Sequence, residues 1–309
     1  MWLADTDRPR KKKRPMPAEA LGGTVGRTNW GRWGSDDQRG SLNLLTPERV
    51  LSALARPRQG STFSLGTQIG KRGVITSGRN QTWHVTTSVE DPTTPGNGRA
   101  EDVVMMHTHA HTHIDGLGHS WFDGKLYNGV DARQAVGRGG SNHGAVDKYG
   151  PIVGTAMLLD LTQGRKPFEP GEIVTADALE RAAGRADVSG EETDVLLIRV
   201  GWTEVFFADR ARFESGAPGL GPDATEWVAA QDVAVVGMDC AAFEPMPPPP
   251  GVHPLAVHRR FLHDLGTPMM ESLDLSAPAA AGVTSGLFVA TPLQIQRGLG
   301  SPLNPVLVV

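Results

Sequence analysis

The chain reads as an α/β protein built as a single domain. Three observations carry that reading. Runs rich in β-branched and aliphatic residues recur along the sequence. Helix-forming segments separate the later runs. No self-similar period of roughly 20 to 50 residues interrupts the pattern.

Taken in order, the chain opens on a basic, proline-punctuated stretch (Arg8, Arg10, Lys11, Lys12, Lys13 and Arg14 among Pro9, Pro15 and Pro17), expected to be a disordered arm over residues 1–25. The domain then spans 26–309. Thr46-Pro47-Glu48 supplies an N-cap with proline at the first helical position, so a short helix starts there. Strands are expected at 61–69, 82–89, 103–108, 152–161, 195–200, 233–238 and 287–291, and helices at 176–183, 223–230 and 253–265. Pro247 to Pro250 reads as a stiff connector within the domain.

Composition narrows the function. The net charge of -4 gives no overall basic field for nucleic acid or anionic lipid, which leaves small molecules as partners. Cys240 is the single cysteine, which excludes an internal disulfide and a cysteine-based zinc finger and favours a reducing, cytoplasmic setting. No apolar run reaches the roughly 18 residues of a membrane span.

The chemistry concentrates in MMHTHAHTHIDGLGHSWFDG. Five of the ten histidines (His107, His109, His111, His113 and His119) fall within 13 residues, with Asp115 among them. Imidazoles and a carboxylate are the ligands that zinc, manganese and iron accept, and three of them leave an open position for catalysis. The bland alternative is a polar strand face or a chance histidine tract. A straight strand would hold His109 and His113 about 13 Å apart, too far for one ion, while a regular helix would rotate Asp115 away from His109. An irregular turn leaving a strand suits all three. Gly116 and Gly118 would then let His119 fold back as a proton carrier beside the ligands.

These residues resemble the cyclase family of metal hydrolases, which includes bacterial kynurenine formamidase and isatin hydrolase. The family pattern H-x-G-T-H-x-D-x-x-x-H is matched by His109, Thr112, His113, Asp115 and His119. WGSDDQRGSLNLLTPERV at 33–50, FDGKLYNG at 122–129 and MMESLDL at 269–275 resemble its longer members, so the likeness covers most of the chain. It implies a swivelling β/β/α fold and a homo-oligomer, dimer or tetramer. It also implies one or two zinc or manganese ions and hydrolysis of an amide, lactam or related carbonyl bond. His111 stands where the family usually has glycine, as an extra ligand or a substrate contact.

Near the C-terminus, His258 lies centrally on an apolar helical stripe with Leu255, Phe261, Leu262 and Leu265, whereas His263 projects about 140° away. An inward histidine is by itself most often a hydrogen-bonded core residue. The resemblance instead pairs His258 with Glu271, as ligands that complete the first site or bind a second ion. Asp239, at a strand end, reads either as a supporting carboxylate or as a turn residue.

Metal-assisted hydrolysis with His119 as general acid and base is therefore the leading expectation. The alternatives are a cyclase or dehydratase using the same site, and a non-catalytic metal- or ligand-binding protein. No phosphate loop or nucleophile elbow accompanies the cluster, and Cys240 has no activating neighbour. Trp83, Phe122 and Tyr127, together with Trp30 and Trp33, could line a pocket for a planar substrate, although core packing is the default for each.

Overall fold

Residues Ile152–Asp160 (IVGTAMLLD) are apolar and buried almost throughout, a pattern that a strand sustains only inside a sheet covered on both faces. In the computed structural model, which describes residues 28–75, 78–163 and 165–309, this segment lies in a nine-stranded sheet. The basic arm expected over 1–25 lies outside the described residues.

The elements that frame the site are β1 (Thr62–Ser64), β2 (Trp83–Glu90), β3 (Gly98–Met105), β4 (His113–Asp115), β5 (Ile152–Asp160), β6 (Val195–Arg199), β7 (Val235–Met238), β8 (Met269–Glu271), β9 (Ser285–Ala290), β10 (Gly300–Pro302) and β11 (Val306–Val308). The sheet order is β1-β11-β9-β5-β6-β7-β8-β4-β10. Its four central strands, β5 to β8, run parallel, and both flanks are antiparallel. Parallel neighbours need crossovers, and helices supply them. They are α2 (Ala176–Ala183) between β5 and β6, α3 (Trp202–Ala208) and α4 (Pro222–Ala230) between β6 and β7, and α5 (Ala256–His258) before β8. The expected first helix is α1 (Pro47–Leu54), capped by the Thr46 side chain.

Three sequence expectations change. The strand expected over 61–69 stops at Ser64, because Gly66 is pressed against Asn304 and Thr67 turns to bond Thr112. The strand expected at 103–108 is instead Gly98–Met105, paired along its whole length with β2 and ending before the histidine-rich turn. The helix expected over 253–265 is α-helical only at Ala256–His258 and continues as a π-helix over Arg259–Leu265. Its wider turn rotates the later side chains, so His263 is buried rather than turned away, whereas Leu255 is exposed rather than inward because it stands before the helix as its non-helical N-cap.

Candidate metal centre

Open α/β sheets place ligands outside the carboxyl ends of their parallel strands, and Glu271 occupies that end of β8. Directly opposite, across an antiparallel pairing, stands His113 on β4. Asp115, two residues on, shares its face because side chains in a strand alternate. The turn foreseen from the sequence lies between β3 and β4. It carries His109 back toward β4, and Asp115 is held in a strand rather than in the turn. The turn requires a left-handed residue, and His111 supplies it with φ 56°. That conformation favours glycine, which is the residue the family pattern has there.

The atoms converge. His109 Nε2 and His113 Nε2 each lie 3.4 Å from Asp115 Oδ1, and His113 Nε2 lies 3.3 Å from Glu271 Oε2. On the other side, His258 Nε2 is 3.6 Å from Asp115 Oδ2 and 3.5 Å from Glu271 Oε1. Each carboxylate thus presents one oxygen toward His109 and His113 or His113 alone, and the other toward His258. Four of these buried atoms, His113 Nε2, both oxygens of Asp115 and Glu271 Oε1, have no hydrogen-bond partner. Buried polar groups are rarely left so. Ligands about 2.1 Å from a tetrahedral ion stand about 3.4 Å apart, the spacing seen here, so the residues present fit a cation.

The remaining nitrogens are fixed by neighbours. His113 Nδ1 sits 3.0 Å from the backbone oxygen of His111, which orients Nε2 toward the carboxylates. His258 Nδ1 lies 2.9 Å from both oxygens of Glu244, whose carboxylate also accepts the His258 backbone N–H at 2.8 Å. Sequence reasoning missed Glu244. The available signal was an acidic residue between Phe243 and Pro245, a setting unsuited to a solvated charge. His119 stacks on His109 with ring centroids 4.0 Å apart and lies 6.3 Å from His258. It forms one candidate ligand group with His109 and Asp115, and His113, Asp115 and Glu271 form another.

Electrostatics separate the histidines. Burial drives His109 down to about 3, against the pull of Asp115, leaving a neutral imidazole. For His113, burial is outweighed by Asp115 and Glu271, and its pKa rises to about 10. His258 is likewise raised well above the ordinary value, burial being overcome by Glu244, Asp115 and Glu271. Asp115 is held well below the carboxylate range because the imidazoles around it, His119 first, outweigh its own burial.

The other expected site residues lie apart from this convergence. His111 points its Nε2 at Thr82 Oγ1, 2.7 Å away. Phe122 packs edge-on against His253 and His263. Tyr127 is fully buried with its hydroxyl toward Asn29 and Asp37, and Trp83 stands exposed on β2. Asp239 accepts the backbone N–H groups of Val200 and Gly201 at 2.8 and 2.7 Å, the strand-end role rather than a supporting one. The Cys240 thiol is buried, which pushes its pKa well up and leaves it a poor nucleophile.

The family model described as "Putative cyclase" matches residues 43–245. This chain belongs to the cyclase family. As a member it is similar over 92% of its length, and over 100% of the other chain, to a crystal structure described as a novel cyclase, at 30% identity and a TM-score of 0.81. It shares the fold of an isatin hydrolase bound to the product analogue thioisatinate (20% identity, 86% and 99% of the two chains, TM-score 0.59). The same holds for a predicted metal-dependent hydrolase from Bacillus stearothermophilus (20% identity, 81% and 98%, TM-score 0.52). No curated protein sequence matches the chain. The α/β fold expected from the sequence is thus the cyclase fold. Among the described residues no helix is long and apolar enough to cross a membrane.

Proposed function

We propose that this cyclase-family member is a metal-dependent hydrolase of an amide, lactam or related carbonyl bond in a small molecule. In this reading His109, His113 and Asp115 hold a zinc or manganese ion, and His258 with Glu271 completes that site or holds a second. The observation that carries it is the convergence, at ligand spacing, of three buried, unpartnered carboxylate oxygens and the unpartnered Nε2 of His113. The relatives named isatin hydrolase and metal-dependent hydrolase support the same chemistry.

A divalent cation at this place supplies a Lewis acid and lowers the pKa of water. The chain's own residues do the rest. Asp115 and Glu271 fix the two faces of the site, and Glu244 keeps His258 Nε2 aimed inward by accepting from Nδ1. His119, on the more open side, accepts a proton from the attacking water at a ring nitrogen and returns it to the leaving group, since an imidazole can do both. Elemental analysis of the purified protein should find one or two divalent ions per chain. A screen of formamides, lactams, lactones and esters should then yield products that together outweigh the substrate by one water, as a single ring-opened product from a lactam or lactone and as two fragments from a formamide or ester. A product lighter by one water would favour a dehydrating cyclase, and metal without turnover a binding protein.

A further inference from the structure

His111 breaks a local rule of the backbone, since a left-handed φ of 56° is unfavourable for a residue that carries a side chain. Such a conformation persists where the surroundings hold it, and here they hold it through the ring. His111 Nε2 and the Thr82 hydroxyl lie 2.7 Å apart, and both residues are buried. On the other side of the ring, a Cβ added to Gly73 would stand 2.5 Å from Nδ1, so the imidazole lies directly against that glycine. The His111 backbone N–H donates to the Val74 oxygen at 3.0 Å. Its neighbour Thr112 adds a further tie, with Oγ1 accepting the Thr67 N–H at 2.8 Å and its own N–H donating to Thr67 Oγ1 at 3.1 Å. The chain ahead of β2 thus meets the histidine-rich turn at Thr67, Gly73, Val74 and Thr82, and His111 makes the last three of these contacts. It belongs to neither candidate ligand group, so whatever it does for the site it does through the residues it holds.

What that stretch brings to the site is a charge. Arg79 stands three residues before Thr82 and is half-buried. Its guanidinium is near enough to His109 to oppose protonation of that ring. The same positive charge works against a divalent cation held by His109, His113 and Asp115. An anionic group on the substrate, met by both, turns that repulsion into two attractions. A guanidinium suits the task, because its planar fork matches a carboxylate.

We propose that His111 is a positioning residue whose ring latches residues 73–75 and Thr82 to the histidine-rich turn, and so sets Arg79 beside His109 to receive a carboxylate of the substrate. The carboxylate rests on the hydrolase reading, and the latch on the fold alone. Hydrogen exchange of the full chain, read by mass spectrometry, tests the latch. The amides of 73–75 and Thr82 should exchange at least about tenfold faster in His111→Gly and Thr82→Val, while β5 to β8 keep their protection. Thr82→Ser retains the hydroxyl and should match the wild type, and His111→Gly relieves the left-handed residue, so a fold lost in Thr82→Val leaves two variants to report. Kinetics test the rest, on a substrate from the screen prepared in carboxylated and neutral forms. Arg79→Gln, His111→Gly and Thr82→Val should each raise KM for the carboxylated form about 10- to 100-fold with little change in kcat. Metal content and the KM of the neutral form should stay as in the wild type. H111G/T82V should be no worse than either single change, because both cut the same latch. Unchanged exchange, or additive losses in the double variant, overturns the latch. Equal losses on both substrate forms, or faster exchange with an unmoved KM, overturn the role of Arg79, and metal lost in His111→Gly makes His111 a ligand instead. Absence of any turnover defeats the hydrolase reading and the substrate carboxylate with it, while exchange still decides the latch.

Discussion

Asp115 and Asp239 close strands on either side of β8, and both are almost wholly buried, yet their surroundings are opposites. Asp239 is met by two backbone N–H groups, and every neighbour it needs comes from the fold itself. Burial nevertheless raises its pKa to about 7. Asp115 is met by imidazoles at non-bonding distances, keeps both oxygens unpartnered, and is held strongly acidic. The contrast shows how a buried carboxylate can be sorted. One that the backbone satisfies belongs to the scaffold, and one that the fold leaves unsatisfied among imidazoles is a candidate ligand for a cation.

The largest expected effect comes from testing that sorting directly. Asp115→Asn should lose most of the bound metal and about 10⁴-fold or more in kcat/KM, since several kcal/mol of Lewis-acid stabilisation goes with the ion. Asp239→Asn should keep its metal. A folded Asp239→Asn protein without metal, or an Asp115→Asn protein with its full complement, would break the comparison.

His119→Ala should lower kcat about 10² to 10⁴-fold with metal content nearly intact. Because His119 also forms a candidate ligand group with His109 and Asp115, metal lost in proportion to activity would make it a ligand instead.

A third test moves outward to Glu244. Removal of a carboxylate that orients a ligand imidazole typically costs about 10 to 100-fold in metal affinity. Glu244→Ala should show that loss in a metal titration, and Glu244→Gln, which can still accept from His258 Nδ1, should recover much of it.

Protonation sharpens the same contrast. His113 and His258 hold protons in the ion-free protein and must surrender them to act as ligands, so metal uptake near neutral pH should release about two protons per chain. Calorimetry in buffers of different ionisation enthalpy measures that number, and zero release would show the ion binding elsewhere.

The smallest effect is on stability. The folded state keeps Asp239 protonated up to about 7, whereas the unfolded chain gives that proton up near 4. The unfolded state therefore binds fewer protons between these values, and stability falls as pH rises through that window. Asp239→Asn should cost about 1 to 3 kcal/mol at the acidic end through weakened acceptance of two N–H groups. The gap to wild type should narrow toward pH 7 and above. Denaturation at several pH values reads both.

Much of the candidate site was legible because the residues that converge in it are local. His109, His113, Asp115 and His119 fall within 11 residues, so a turn and a strand suffice to gather them, and ligand chemistry limits what such a segment can be. The α/β class was legible for a similar reason. The apolar run of β5 and the well-marked α2 and α4 declare themselves through burial pattern and helix starts, which are local properties. By contrast, His258 and Glu271 were paired through the family resemblance, since 12 residues, a π-helix among them, separate the two and no periodicity links them.

What the sequence determined by itself was thus the fold class, the histidine-rich segment and the metal-ligand chemistry it offers. Only the tertiary structure decided that Glu271 faces His113 across β4 and β8, and that Glu244 holds His258. It also decided that Asp239 serves the backbone and that His111 fills a left-handed turn. The physical reason is that these are long-range relations. Strand register, the wider turn of a π-helix and the partner of a buried carboxylate are set by which segments pack together, and local pattern carries no record of that choice.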